Sequence, residues 1–315
     1  MAFSKGSYRP RVEFLESRQL MAGDVFAAVE GNFLRVQGDQ LDNQIAIAET
    51  VGGDVVVSGQ NGTLINGRPS IRFARPVLNA LDVRMDGGND SVTLRGVRLS
   101  NDMFVDLGAG NDRLIAPLSN PIVVGANASI YGSEGNDTIQ LVGSVIREDL
   151  VIDGGIGLLN ANLSSMAIQK SLAISGDEAN DVISVSSSNI GLGVTIETKG
   201  GSDRVNINNL LAFSLMVNTD SNAAIGADQV TLNQVQLAED LGIFTGAGND
   251  LVRMTDVSSG KVSVSLDEGN DRLIATKVTA ATDAVFEGGA GFDILEDYGI
   301  SSGIWREYKE FESIR

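Results

Sequence analysis

The chain has 315 residues, 43% hydrophobic but only 5% aromatic, and a formal charge of −18 from 23 Lys and Arg against 41 Asp and Glu. That balance argues against a nucleic-acid partner, whose phosphates require a basic footprint, and against docking on anionic membranes; it suits cations or solubility in salt. With no histidine and no cysteine, the usual general base, the commonest metal ligand, thiolate nucleophiles, zinc clusters and disulfides are all missing. No run of about 18 apolar residues occurs, so no membrane-spanning helix is expected. Residues 1–32 also lack the apolar stretch of an ordinary secretory signal.

Residues 1–24 stand apart from the rest. The stretch from Ser7 is basic, then weakly amphipathic, and stops at Gly23-Asp24; on pattern alone it reads as a frayed tail with one helical turn. The run Phe14-Leu15-Glu16-Ser17-Arg18-Gln19-Leu20-Met21-Ala22-Gly23-Asp24 is similar to the LEPR-XLL N-terminal segment of large bacterial envelope and secreted proteins. Leu15, Glu16, Arg18 and Leu20 match that segment, while Ser17 stands for its proline and Met21 for its second leucine. The resemblance covers under a tenth of the chain. It implies an extracellular or cell-surface location on the bacterial envelope.

Residues 25–79 read as strands around Phe33–Val36, Gln44–Ala48, Val55–Ser58 and Thr63–Asn66. Gly52-Gly53 and Asn61-Gly62 are hairpin signals. Gly38 to Ile45 looks like a worn copy of a turn that recurs later, with Asn43 in its marker position. Asn43 lies 47 residues before Asp90, close to two periods, so this part is open between worn coils and an antiparallel cap.

Residues 80–297 carry a repeat. Thr245-Gly246-Ala247-Gly248-Asn249-Asp250-Leu251-Val252 is echoed at Leu107–Leu114, Gly132–Ile139, Leu266–Leu273 and Gly288–Leu295. The marker aspartates are Asp90, Asp112, Asp137, Asp181, Asp203, Asp228, Asp250, Asp271 and Asp293, in steps of 21, 22 or 25 apart from one double step of 44. Within the double step, Gly154 to Leu159 keeps the glycines and puts Leu159 at the marker. Apolar residues follow each marker at a spacing of two (Val252, Met254; Val262, Val264), which is strand periodicity. The 25-residue copies place their extra residues at Pro117–Pro121 and Ser221–Ile225.

The predicted fold is therefore all-β. It is a single-chain parallel β-helix, or β-solenoid, of about ten coils with about 22 residues per coil, in which each repeat packs on its neighbours. Equivalent side chains should stack about 4.8 Å apart, making a rod on the order of 50 Å long. Val205, Val230 and Val252 should share one core column. Residues 298–315 lose the repeat and concentrate Tyr298, Trp305, Tyr308 and Phe311, as expected of a C-terminal cap.

Written generally, the turn is G-G-x-G-x-D-x-U-x, the nonapeptide of RTX-type (hemolysin-type) calcium-binding β-helices. Gly288–Glu296 matches it in full. The resemblance departs in one respect, because the nonapeptide occurs here once per coil and not in tandem. It implies calcium as a cofactor, with the nine marker aspartates as ligands together with glycine carbonyls. Asp86, Asp177 and Asp267 would add second acids. The alternative is that Asn-Asp simply caps neighbouring backbone groups, with Arg113, Arg204 and Arg272 neutralising the row. Glycine at the turn's fourth position, from Gly88 to Gly291 with Ala179 as the exception, implies positive φ or close backbone approach.

Coils of this length also resemble pectate-lyase-like polysaccharide enzymes, which need clustered acids on one sheet. Asp149, Glu197, Glu239, Asp240 and Asp256 are scattered, as are Arg95, Arg147 and Arg253, so catalysis is not expected. The preferred reading is a surface, adhesive or matrix module. Its partners would be cell-envelope or extracellular matrix components, polysaccharide among them.

Overall fold

The computed structural model describes residues 23–74, 77–220 and 225–315. The stretch compared with the sorting segment, as far as Ala22, and the extra residues 221–224 lie outside them. The described residues contain strands and turns and no helix, stacked as a parallel β-solenoid.

One coil sets the pattern. The strand Val182–Ile190 bends in its middle, the strand Gly193–Glu197 returns, and the turn leads into the next copy, Arg204–Ala212. In the bent strand Ile183 and Val185 are buried, and burial resumes out of phase at Ser188 and Ile190. The bend absorbs the extra residue with Ser187 at φ 49°. The equivalent positions are Ser165 (φ 55°), Asn209 (φ 54°), Gln234 (φ 54°), Asp256 (φ 51°) and Lys277 (φ 52°). A single residue in the left-handed region is tolerable for polar side chains.

Bent strands pair in parallel to make an 18-stranded sheet, and return strands make a 14-stranded one. The register is residue for residue. Val205 pairs with Val230 and Val230 with Val252, all fully buried, so the three valines share one column. On the returning sheet the column Ile174, Ile196, Val217, Ile243, Val264 faces it. These columns of β-branched and Leu side chains fill the interior. A hydrophobic content of 43% suffices for this, because only alternate residues point inward.

At the N-terminus, strands β1 (Asp24–Glu30) and β2 (Phe33–Gln37) form an antiparallel hairpin. β2 then pairs in parallel with Ala80–Arg84, and β3 (Gln44–Glu49) pairs in parallel with Ser91–Arg95. The 47-residue interval is thus one coil step, not two. Its surplus is an antiparallel excursion through β4 (Val55–Gly59), β5 (Leu64–Ile65) and β6 (Ser70–Phe73), with β4 paired to both β3 and β6.

The C-terminal stretch keeps the repeat longer than its sequence suggests. Ile294–Ser302 continues the bent-strand column, and Trp305–Lys309 pairs in parallel with Asp283–Glu287. Tyr308 packs on Phe286 with ring centroids 5.8 Å apart, and Phe311 also packs on the core. Tyr298 and Trp305 are more than half exposed, because they fall on outward columns.

The 25-residue copy at Asp112 carries its extra residues where expected. The strand Arg113–Ala116 ends at Pro117, and a turn through Asn120 precedes Val123–Val124.

Candidate functional site

Five turns, those ending at Asp90, Asp112, Asp137, Asp250 and Asp271, present Gly, Asn and Asp in sequence, and each residue performs a separate task. Glycine comes first, because the turns stack backbone on backbone. A Cβ on Gly110 would stand 1.7 Å from the carbonyl oxygen of Gly88, and one on Gly291 would stand 1.4 Å from that of Gly269. Positive φ accompanies this at most positions, Gly88 (φ 102°) and Gly135 (φ 126°) among them. In the later coils the turns themselves pair, forming a four-stranded sheet from Ile225–Gly226 to Ala290–Gly291.

Asparagine faces outward and reaches forward. The Oδ1 of Asn89 accepts the backbone N–H of Asn111 at 2.9 Å, Asn111 accepts that of Asn136 at 2.9 Å, and Asn136 that of Leu158 at 3.0 Å. Farther along, Asn180 caps Ser202, Asn249 caps Asn270 and Asn270 caps Phe292.

Aspartate faces inward and reaches backward. The Oδ1 of Asp112 accepts the N–H of Asp90 at 2.6 Å, and Asp137 accepts that of Asp112 at 2.8 Å. The chain of bonds continues from Asp181 to Asp203, Asp228, Asp250, Asp271 and Asp293, each carboxylate taking the N–H of the preceding marker at 2.7–2.8 Å. All nine marker aspartates are at most 2% exposed. The two side chains of one dipeptide thus tie a coil to both of its neighbours.

The ends and the gap obey the same logic. Asn43 occupies the first rung, its N–H held by Asp90 Oδ1 at 2.7 Å, as the worn copy implied. Leu159 supplies no carboxylate, so the N–H of Asp137 turns to the carbonyl of Leu158 at 2.8 Å. Leu159's own N–H still reaches Asp181 Oδ1 at 2.7 Å. On the rung after Asp293, Glu312 takes the marker's part, its Oε2 receiving the Asp293 N–H at 2.6 Å.

Electrostatically the row is costly if ionised. The second oxygen, Oδ2, of every marker aspartate is buried with no hydrogen-bond partner. A charged oxygen left so is penalised heavily, and the carboxyls respond by holding their protons. Burial pushes Asp90 and Asp203 up to about 8, Asp112, Asp250 and Asp271 to about 7, and Asp137 and Asp181 to about 6, the backbone N–H bonds acting against it. Asp228 and Asp293 are raised for the same reason.

Thr198, Thr219 and Thr245, a buried column beside the row, help to hold down Asp203, Asp228 and Asp250. Their hydroxyls donate along the stack to the carbonyls of Thr219, Thr245 and Leu266 at 3.1–3.4 Å. Each hydroxyl has one proton to share between carbonyl and carboxylate.

Several expected participants lie elsewhere. Arg113, Arg204 and Arg272 sit on the outer face of the sheet, exposed, one residue beyond the inward marker. They therefore cannot neutralise the row, and Arg272 pairs instead with Glu296 at 2.6 Å. The second acids are turned away from it: Asp177 caps Ala179 and Gly157, Asp267 accepts from Ser265, and Asp86 from Gln37. Glu197 and Asp240 lie on the returning sheet, Asp256 at a bend and Glu239 at a corner, so these acids form no single constellation.

Calcium takes six to eight oxygen ligands. As arranged, each marker commits Oδ1 to an N–H and turns Oδ2 into the core. Among the described residues no three acidic side chains converge on a point that could hold a metal. The Oδ1 contacts are the ones the capping alternative describes. Nor is any described helix long and apolar enough to cross a membrane.

Compared with known proteins, the chain matches no family model, no curated protein and no solved structure.

Proposed function

We propose that the chain is a structural β-solenoid of the bacterial cell surface or extracellular space, an adhesive or matrix module that supplies length and a repetitive outer face. The observation that carries this reading is the row of inward aspartate caps, interrupted at Leu159 and ended by Asn43 on one side and Glu312 on the other. A stack whose turns are tied rung to rung along most of its length makes a stiff rod, and rods serve as spacers and as surfaces for repetitive partners. Cell-envelope or matrix components, polysaccharide included, are the partners such a face would meet. The acidic surface supports solubility outside the cell, and the resemblance of Phe14–Asp24 to an envelope-sorting segment supports export.

The test is localisation in a bacterial host, comparing the full chain with a version lacking residues 1–24. The reading expects the full chain to be digested by protease added to intact cells or recovered from the medium, and the shortened chain to remain inside. Retention of both inside intact cells would reject it.

A further inference from the structure

A regular solenoid is most informative where it stops being regular, since insertions on repeats tend to build the binding face. Two such departures occur near the N-terminus, in the coils on either side of the one that carries Ser91–Leu99. One is the β3–β4 hairpin, whose turn spans residues 50–54; the other is the extra loop at Pro117–Pro121. They are far apart in sequence yet project at the same corner. A cleft of about 600 Å³ lies between them, and a second of about 590 Å³ adjoins it on the hairpin side, the two sharing Glu49, Gly53 and Arg98. Each is within the range of about 300–1,000 Å³ typical of small-molecule sites.

The chemistry of this corner runs against that of the molecule. In a chain of net charge −18, Arg98 and Arg147 both line the second cleft, and both are exposed. Neither takes part in an ion pair among the described residues. Arg98 places one guanidinium nitrogen 3.1 Å from the Gly96 carbonyl, leaving the rest of its fork uncommitted. The one acid present, Glu49, has its Oε2 held by the backbone N–H of Arg98 at 3.0 Å. Apolar surface adjoins the arginines at Val77 and Val123, with Ser100 as a further polar contact.

We propose that this cleft binds a small organic anion, its oxyanion group held by Arg98 and Arg147 and its carbon skeleton lying on Val77 and Val123. Planar guanidinium forks suit carboxylate or phosphate oxygens. The negative field of the whole chain opposes a polyanion, so the ligand carries few charges. The site does not depend on where the protein resides and is separate from the Asn-Asp turns.

Calorimetric titration of the full chain at low ionic strength tests the assignment, with glucuronate, glucose and inorganic phosphate as probes. Glucuronate and glucose share a ring and differ in the carboxylate. The proposal expects saturable glucuronate binding, none for glucose, and weaker binding of phosphate, which lacks the skeleton. Arg98→Gln and Arg147→Gln should each weaken glucuronate by about tenfold or more, as loss of a charge-assisted hydrogen bond implies. The double Lys variant should recover part of the loss. Both arginines are exposed, so unchanged melting of the variants would show that the fold survives. No binding of glucuronate, equal binding of glucose, phosphate binding at least as tight, or full binding by the double Gln variant would each overturn the assignment.

Discussion

The backbone N–H of Asp250 lies 2.8 Å from Oδ1 of Asp271, one coil ahead. Its neighbour Asn249 sends Oδ1 the same distance forward, to the N–H of Asn270 at 2.9 Å. The carboxylate thus ties backward and the amide ties forward, one inside the wall and one outside. That division of labour explains why the pair is Asn-Asp in this order: the inward member is an acceptor that can be neutral when protonated, and the outward member remains in water.

Removing an inward acceptor leaves a buried N–H unpaired. Asp250→Ala strips the partner from the Asp228 N–H and should cost about 1–3 kcal/mol, with Asp250→Asn costing less because an oxygen acceptor remains. Thermal melting of the two variants beside the parent checks this. Equal loss in both, or none in the alanine variant, would show that the cap contributes nothing.

The raised carboxyls set a pH dependence opposite to that of salt-bridged proteins. With folded values of about 6 to 8 against an ordinary carboxyl value of 3.8, the folded state binds more protons than the unfolded chain through that interval. Stability from these groups is therefore complete below about pH 4 and declines as pH rises towards 8. Melting from pH 5 to 8.5 should show a falling midpoint, and Asp250→Asn with Asp271→Asn should flatten the slope. The double variant separates the row from the general charge of −18, which acts in the same direction. A midpoint that rises with pH would refute the neutral row.

Glycine substitutions should divide by position. A Cβ on Gly248 would meet the Gly226 carbonyl oxygen at 1.6 Å, and backbone cannot move aside. Gly248→Ala should cost about 1–3 kcal/mol or more. Gly242 lies on the outer face, where a Cβ would meet only the edge of the Phe244 ring at 3.1 Å, and its replacement by alanine should be tolerated. Denaturant unfolding of both variants distinguishes them; similar costs would contradict the stacked-turn account.

Much of this was legible in the sequence. The period and the Val205–Val230–Val252 column follow from spacing alone, and Asn43 was recognisable as a worn marker. The inward direction of the aspartates was also present as parity: marker, Val252 and Met254 differ by two residues each, so Asp250 must share their face. Chemical expectation pointed the other way, since burying a row of carboxylates looks prohibitive until their protons are counted. The bends were harder to see because Ser187, Gln234 and Lys277 adopt positive φ without a glycine to announce it. The cleft at Arg98 and Arg147 had no sequence signal, as its walls come from residues of several coils far apart in the chain.

The most direct test of the central claim, that side-chain caps hold the turn column, is the melting midpoint in millimolar calcium against the same protein in chelator. If the caps suffice, the two midpoints coincide, and Leu159→Asp adds no calcium stoichiometry. A ladder of calcium sites would behave differently: each ion at a hundredfold excess over Kd adds about 2.7 kcal/mol, and several would raise the midpoint by many degrees. A large calcium-dependent rise, abolished by chelator, would contradict the account.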